Sequence, residues 1–449
     1  MFYNIEEAVN FIFSGLKNKT APMLDAYRHP EFFPELMSLL PPIKNNPSNV
    51  IITGSKGKGS TSVFLASILE QEGYNIGLYT SPHLLSFTER IRVNGRIIKS
   101  DDFLRIANDV LSIVKSLSEL MPKWLYIGPN AIGMAIALHY FLEQNTDINI
   151  IEVGRGGILD EARFISHKFG IITKIFNEHN LYIGPELDDI GKNKAGIINE
   201  YDQTIVTTEQ EEEIYKIICN RVNLFKSKLL TMNKDFFGRH IYEDIDKNLI
   251  SIKTSIDYNE LDLGIHGKYQ VENASMAVAM SECILKKTLD RKSLHNSLKR
   301  AYWPGRTQIL QLKPMVILDA TISKYGAQEL LTLISSIKYK KKYKKIFIVI
   351  SIPEDKDMKG IIELYSRIAD FIVITGTYNN YLNYDFIKIS KLMETFMNKN
   401  NFIIIEEPNE AFNKIMSLTT YDDIVLLSGT LSFVSDILNI FNFKELNLW

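Results

Sequence analysis

Short apolar runs alternate with amphipathic stretches from Asn49 to about Thr207. Val50–Thr53, Ile76–Thr80, Ile148–Val153, Phe169–Thr173 and Gln203–Thr207 are brief, rich in β-branched residues, and apolar almost without interruption. That pattern predicts strands buried on both faces. Between them, Thr61–Glu72, Ser100–Leu120 and Ile127–Glu143 place apolar residues three and four apart, which predicts helices. Strands separated by helices make a mainly parallel sheet. Residues 208–262 are more charged and irregular, and a small antiparallel part of the sheet is expected around Asp235–Ile256. A helix at about Asn273–Lys287 follows.

A second series begins after Trp303-Pro-Gly-Arg306. Its strands are Met315–Asp319, Lys345–Ser351, Phe371–Thr375, Phe402–Glu406 and Asp423–Ser428. The expected architecture is α/β throughout: a first domain over 1–297 with a mainly parallel sheet, and a smaller Rossmann-like domain over 298–449. The basic run Lys338–Lys345 reads as a solvated loop leading into a strand.

Bulk properties narrow the classes. At 449 residues the chain exceeds one comfortable core. Lys and Arg number 51 against 53 Asp and Glu, so the net charge of -2 gives no support to nucleic-acid or membrane binding. Two cysteines, Cys219 and Cys283, make no disulfide framework and no metal spacing. The first residues carry acids and lack a signal-peptide pattern, and no apolar run approaches the ~18 residues of a membrane span. A cytoplasmic protein is expected.

The chemistry concentrates at Gly54-Ser-Lys-Gly-Lys-Gly-Ser-Thr61, a glycine-spaced loop between the first strand and the first helix of the sheet. Such a loop gathers backbone N–H groups and a helix N-terminus around one point, which favours phosphate. It is a shortened P-loop: Lys58 reaches terminal phosphates and the Ser60 hydroxyl ligates Mg²⁺. ATP is the expected nucleotide, held by Gly54, Ser55, Gly57, Lys58, Gly59, Ser60 and Thr61. Four more segments lie at or just past strand ends: Tyr79–Gly95, Ile151–Gly157, Asn177–His179 and Lys192–Ile198. Mg²⁺ takes oxygen ligands and few protein contacts, which suits Ser60, Ser81 and Glu152, with His179 able to add a nitrogen.

Together these segments resemble the folylpolyglutamate synthase/dihydrofolate synthase branch of the Mur ligase family. Gly54–Ser60 matches the pattern Gly-Thr-x-Gly-Lys-Gly-Ser with Ser55 for Thr. Thr80-Ser-Pro-His-Leu84 and Glu89-Arg-Ile-Arg-Val-Asn-Gly95 match almost residue for residue. Glu152-Val-Gly-Arg-Gly-Gly157, Lys194-Ala-Gly-Ile197, Gly267–Asn273, Pro304-Gly-Arg306, Asp355-Lys-Asp357 and Ser428–Val434 follow in order. The resemblance spans roughly 45–440 and implies a ligase that phosphorylates an acceptor carboxylate with ATP, then lets an amine displace phosphate. It implies glutamate joined to a folate or dihydropteroate, by a monomer needing no nucleic acid or membrane. It also implies catalytic roles for Lys58, His179 and Lys194, the last carbamylated near a second Mg²⁺. Asn273 would meet adenine, Arg306 the phosphates and Asp319 the ribose.

Departures cluster on the acceptor and amino-acid side. The family's Asp-Gly-Ala-His-Asn-Pro is here Asp319-Ala-Thr-Ile-Ser-Lys324, and its Thr/Ser-x-Phe-Glu helix is replaced by Ile127-Gly-Pro-Asn-Ala-Ile-Gly133. Its Gly-Leu-x-Arg-Ile segment has no counterpart in Met23–Pro30. Tyr269 stands for His, Glu178 for Asp, and Asn193 for the Glu beside the key lysine. A paralogous ligase with a non-folate carboxylate acceptor, or an ATP-binding protein without turnover, are the alternative readings.

Overall fold

The computed structural model describes residues 1–17, 30–42, 47–122, 125–176, 183–244, 246–379, 381–444 and 447–449. The largest sheet has eight strands: β1 (Ser48–Thr53), β2 (Ile76–Tyr79), β3 (Ile91–Val93), β4 (Arg96–Ile97), β5 (Ile148–Glu152), β6 (Phe169–Ile172), β7 (Thr204–Thr207) and β8 (Lys228–Thr231). Their order is β4-β3-β2-β5-β1-β6-β7-β8, parallel from β2 to β8, with β3 and β4 antiparallel at one edge. β1 lies between β5 and β6, so a crevice opens at its C-terminal end, where open α/β sheets bind ligands.

Helices cover both faces. Ser100–Leu120 buries Phe103, Ile106, Ala107, Val110, Leu111, Val114 and Leu117, a stripe at helical spacing. With Ile5–Lys17, Phe32–Leu39 and Pro129–Glu143 it closes one core. The other face packs against Lys58–Gln71, Gln270–Leu285 and Arg291–Arg300. The expected antiparallel segment is a sheet of its own, ordered β11-β10-β9: β9 (Phe237–Glu243), β10 (Asn248–Lys253) and β11 (Asp257–Asp262). Residues 208–262, read as irregular, also contain the helix Glu212–Leu224.

The C-terminal lobe holds six strands: β12 (Gln308–Leu312), β13 (Met315–Asp319), β14 (Ile346–Ser351), β15 (Phe371–Ile374), β16 (Phe402–Ile404) and β17 (Ile424–Gly429). The order is β12-β13-β17-β14-β15-β16, parallel except for β12. Position 297 lies inside the helix Arg291–Arg300, and Leu298 and Ala301 are buried in the central core, against which Trp303 also packs.

Lys338–Lys341 are not a solvated loop. They end the helix Lys324–Lys341 and meet the β9–β10 hairpin: Lys340 Nζ donates to the Glu243 carbonyl at 3.0 Å and lies 4.1 Å from the Tyr242 ring centre. Lys341 pairs with Asp246 at 2.7 Å. Leu448 returns to the central core, its N–H donating to the Gly95 carbonyl. Among the described residues no helix is long and apolar enough to cross a membrane.

Candidate active site

β1 ends at Thr53 and the chain turns at Gly54 with φ +139°; at Gly57 φ is +89°. Only glycine adopts the first without strain. A Cβ at Gly54 would also fall 1.9 Å from Thr173 Oγ1, and one at Gly57 2.3 Å from Asn273 Oδ1. The loop therefore packs tightly against β6 and the helix Gln270–Leu285 before the helix Lys58–Gln71 begins.

Two lysines converge on this loop. Lys58 Nζ donates to the Gly54 carbonyl at 3.0 Å, and Lys194 Nζ, from a buried side chain, donates to the same oxygen at 2.8 Å. Their ammonium groups are thus no more than about 6 Å apart, a repulsion that an anion between them would relieve. Lys194 ends the helix Leu187–Lys194, one residue after Asn193. Asn193 Oδ1 accepts from the N–H groups of Gly157 at 2.9 Å and Leu159 at 3.4 Å. An amide oxygen therefore braces the glycine loop after β5 where the family pattern has a carboxylate.

Glu152 ends β5 and pairs in register with Ile52, two residues before the loop. It is 4% exposed, and burial pushes its carboxyl up to about 7 against the opposing pull of Lys58, the Ser81 N–H, Arg306 and Arg90. The Ser81 N–H donates to Glu152 Oε2 at 3.3 Å. Ser60 is buried, and Gln270 Nε2 lies 3.4 Å from its hydroxyl oxygen. A buried carboxylate beside Ser81, with the Ser60 hydroxyl at the start of the helix Lys58–Gln71, offers oxygens of the kind that suit Mg²⁺ sharing its shell with phosphate and water. Among the described residues no group of three or more His, Cys, Asp or Glu could hold a metal, so a metal here would rely on that sparse set.

Arg306 shares a cavity with Ser81, Glu152, Arg92, Trp303 and Leu431, which brings the linker and the C-terminal lobe to the same point. Asn273 lies over Gly57, accepts from Thr61 Oγ1 at 3.3 Å and donates to Gln270 Oε1 at 2.9 Å. Two expected residues face elsewhere. The Ser55 hydroxyl exchanges hydrogen bonds with the backbone of Phe176, which anchors the loop to the chain after β6. Asp319 is buried; one carboxylate oxygen takes the Thr307 N–H and hydroxyl, and the other takes the Thr321 hydroxyl. It holds the linker. His179 lies outside the described residues.

Several site residues had no role assigned from the sequence, although His83, Glu89 and Arg90 lie in segments that match the family pattern. Arg90 Nε donates to His83 Nδ1 at 3.0 Å, and burial followed by that guanidinium drives the His83 pKa down to about 3, so the ring is neutral. Glu89 accepts from the N–H groups of Leu84, Leu85 and Ser86 and fixes the loop after β2. Trp303 lies over Gly59, where a Cβ would come within 2.8 Å of the ring. The family resemblance marked the segments of His83, Glu89 and Arg90, but spacing alone does not say what their side chains touch.

A profile described as the Mur ligase middle domain matches residues 107–281. The dihydrofolate synthase/folylpolyglutamate synthase of Bacillus subtilis is 27% identical, covering 97% of this chain and 99% of its own. The solved folylpolyglutamate synthase of Thermotoga maritima aligns at 25% identity with a TM-score of 0.83, over 99% of this chain and 98% of that one. That of Mycobacterium tuberculosis, complexed with ADP and AMPPCP, shares the fold with a TM-score of 0.85 at 20% identity, over 97% and 99%.

Proposed function

The chain belongs to the folylpolyglutamate synthase/dihydrofolate synthase branch of the Mur ligases, and on that footing we propose how it works. It is an ATP-dependent ligase that joins glutamate to the carboxylate of a folate or dihydropteroate. An acceptor carboxylate oxygen attacks the γ-phosphorus of ATP and ADP leaves, giving an acyl phosphate. The glutamate amine then attacks the acyl carbon, phosphate departs, and an amide remains.

One observation carries the site assignment: two lysine ammonium groups on one loop carbonyl, in the loop after β1, with a buried carboxylate at the end of neighbouring β5. Lys58 exchanges the Gly54 carbonyl for phosphate oxygens when nucleotide binds. The loop N–H groups hold the transferring phosphoryl, and Arg306 adds charge from the linker. Ser60, Ser81 and Glu152, with His179, would hold Mg²⁺, which screens phosphate charge when bound. Carbamylation of Lys194 would turn a cation beside Lys58 into an anion, replacing repulsion by attraction. The two lobes, set out as 1–297 and 298–449, close around the acyl phosphate and exclude water.

The test is phosphate release by purified protein with ATP, Mg²⁺ and glutamate, with dihydropteroate or tetrahydrofolate in parallel. Release dependent on either pterin, with a product heavier by one glutamyl unit, is expected. Tight ATP binding without pterin-dependent release would overturn the acceptor assignment.

A further inference from the structure

The phosphate loop carries a second lysine that the reaction above does not use. Lys56 lies between Gly54 and Gly57, two positions of positive φ, and its side chain leaves the loop. Lys56 Nζ donates to Ser323 Oγ in the C-terminal lobe at 2.9 Å. Ser323 is the N-cap of the helix Lys324–Lys341 and accepts from the Gly326 N–H at 3.3 Å. The next N–H, of Lys324, donates to Asp357 Oδ2 at 3.2 Å, so the cap is fixed within its own lobe. A Cβ on Gly326 would lie 3.3 Å from Lys56 Nζ, which shows how closely the lysine meets this first helical turn.

The same segment, Asp319–Lys324, is the one that departs from the family pattern. At its start Asp319 holds Thr307, and the Ala320 N–H donates to the Gly305 carbonyl at 2.9 Å. It is therefore bonded to the linker at one end and to the phosphate loop at the other. A loop with two left-handed glycines has much backbone freedom to lose, and tethering its midpoint removes part of that freedom in advance. The contact is also readily broken, because an ammonium at a helix N-terminus sits at the positive end of the dipole.

We propose that Lys56 is a positioning residue: its bond to Ser323 couples closure of the C-terminal lobe to ordering of the phosphate loop. Phosphoryl transfer then proceeds with the cleft shut. The turnover part of this inference rests on the ligase reading; the coupling of lobe and loop does not.

The first measurement is hydrogen exchange of the peptide covering residues 54–61, with AMPPCP and Mg²⁺ and no acceptor. Lys56→Met and Ser323→Ala should raise exchange equally, and the double variant no further. Ser323→Asp, which keeps both the cap and the acceptor, should match the unaltered protein, as should Lys56→Arg. In turnover, Lys56→Met should lower kcat about three- to tenfold, the size of one ordinary hydrogen bond lost, with the KM for ATP nearly unchanged. Phosphate release per glutamyl product should rise above one, because water reaches the acyl phosphate. Faster exchange in Lys56→Met but not in Ser323→Ala would overturn the coupling, as would additive effects. A higher KM for ATP at unchanged kcat would make Lys56 a phosphate ligand instead. If the unaltered protein shows no pterin-dependent turnover, the acceptor assignment fails while the exchange result still decides the latch.

Discussion

Lys58 and Lys194 share one acceptor oxygen, and that crowding determines what each substitution does. Lys58→Ala should remove the phosphate contact together with the bond to the Gly54 carbonyl, so kcat/KM should fall at least about 100-fold; normal turnover would remove the loop from the mechanism. Lys194→Ala should lose activity that bicarbonate does not restore. Recovery with acetate would support a carbamate, since acetate could occupy the vacated anionic position. Glu152→Gln keeps an acceptor for the Ser81 N–H but loses the charge, so half-maximal activity should need roughly tenfold more Mg²⁺. An unchanged Mg²⁺ titration would take Glu152 out of the metal site. The glycines, Lys58, Ser60 and Glu152 were legible because strand, loop and helix must follow in that order to bind phosphate. Asn193 was legible only as a departure, and its role as a brace for Gly157 came from the fold. Ser55 shows the opposite: a loop hydroxyl in a phosphate-binding motif turned out to bond the backbone of Phe176.

At the scale of elements, the two parallel sheets were readable because their strands are apolar on both faces. The edge strands β4, β8 and β12 were not, since they are half solvated and mix polar with apolar residues, whereas the edge strand β16 was readable from its Phe402-Ile-Ile run. The helix Leu431–Ile440 illustrates a cost hidden in a good helix. Its Asp436 accepts from the Tyr378 N–H at 3.0 Å, yet burial and then the Glu407 charge lift its carboxyl to about 6 from 3.8. The folded state therefore holds this proton when the unfolded chain has released it. Its contribution to stability is full below pH 3.8, declines as pH rises to about 6, and is lost above. Asp436→Asn keeps the acceptor without the charge. Relative to the unaltered protein it should gain about 1 kcal/mol between about pH 4 and about pH 7.5, after allowance for partial exposure. Urea unfolding at the two pH values checks this, and a pH-independent difference would refute it. Lys342–Lys345 do lead into β14 as an exposed loop, but the helical half of the run, Lys338–Lys341, was misread because its partners, the Asp246 carboxylate and the Glu243 backbone carbonyl, lie almost 100 residues away in sequence.

Across the whole molecule, the lobes meet at the linker, at Lys56 and Ser323, at the β9–β10 hairpin, and at Leu84 and Leu85, which pack on the C-terminal core. Trp303 in the linker lies over Gly59 at the start of the phosphate-binding helix. Gly59→Ala should improve helix propensity slightly yet push the ring aside, at a packing cost of about 1–3 kcal/mol. We expect kcat to drop at least tenfold with a smaller loss of thermal stability; full activity would show that the ring's position is not used. By itself the sequence determined the α/β class, the order of most elements and the phosphate loop, because these follow from local periodicity and from glycine's backbone freedom. Tertiary structure alone decided which groups face one another across the cleft. Whether two lysines share a carbonyl, whether Asp319 holds the linker, and what Lys56 reaches depend on distances between residues more than 100 positions apart in some cases, which no local pattern encodes.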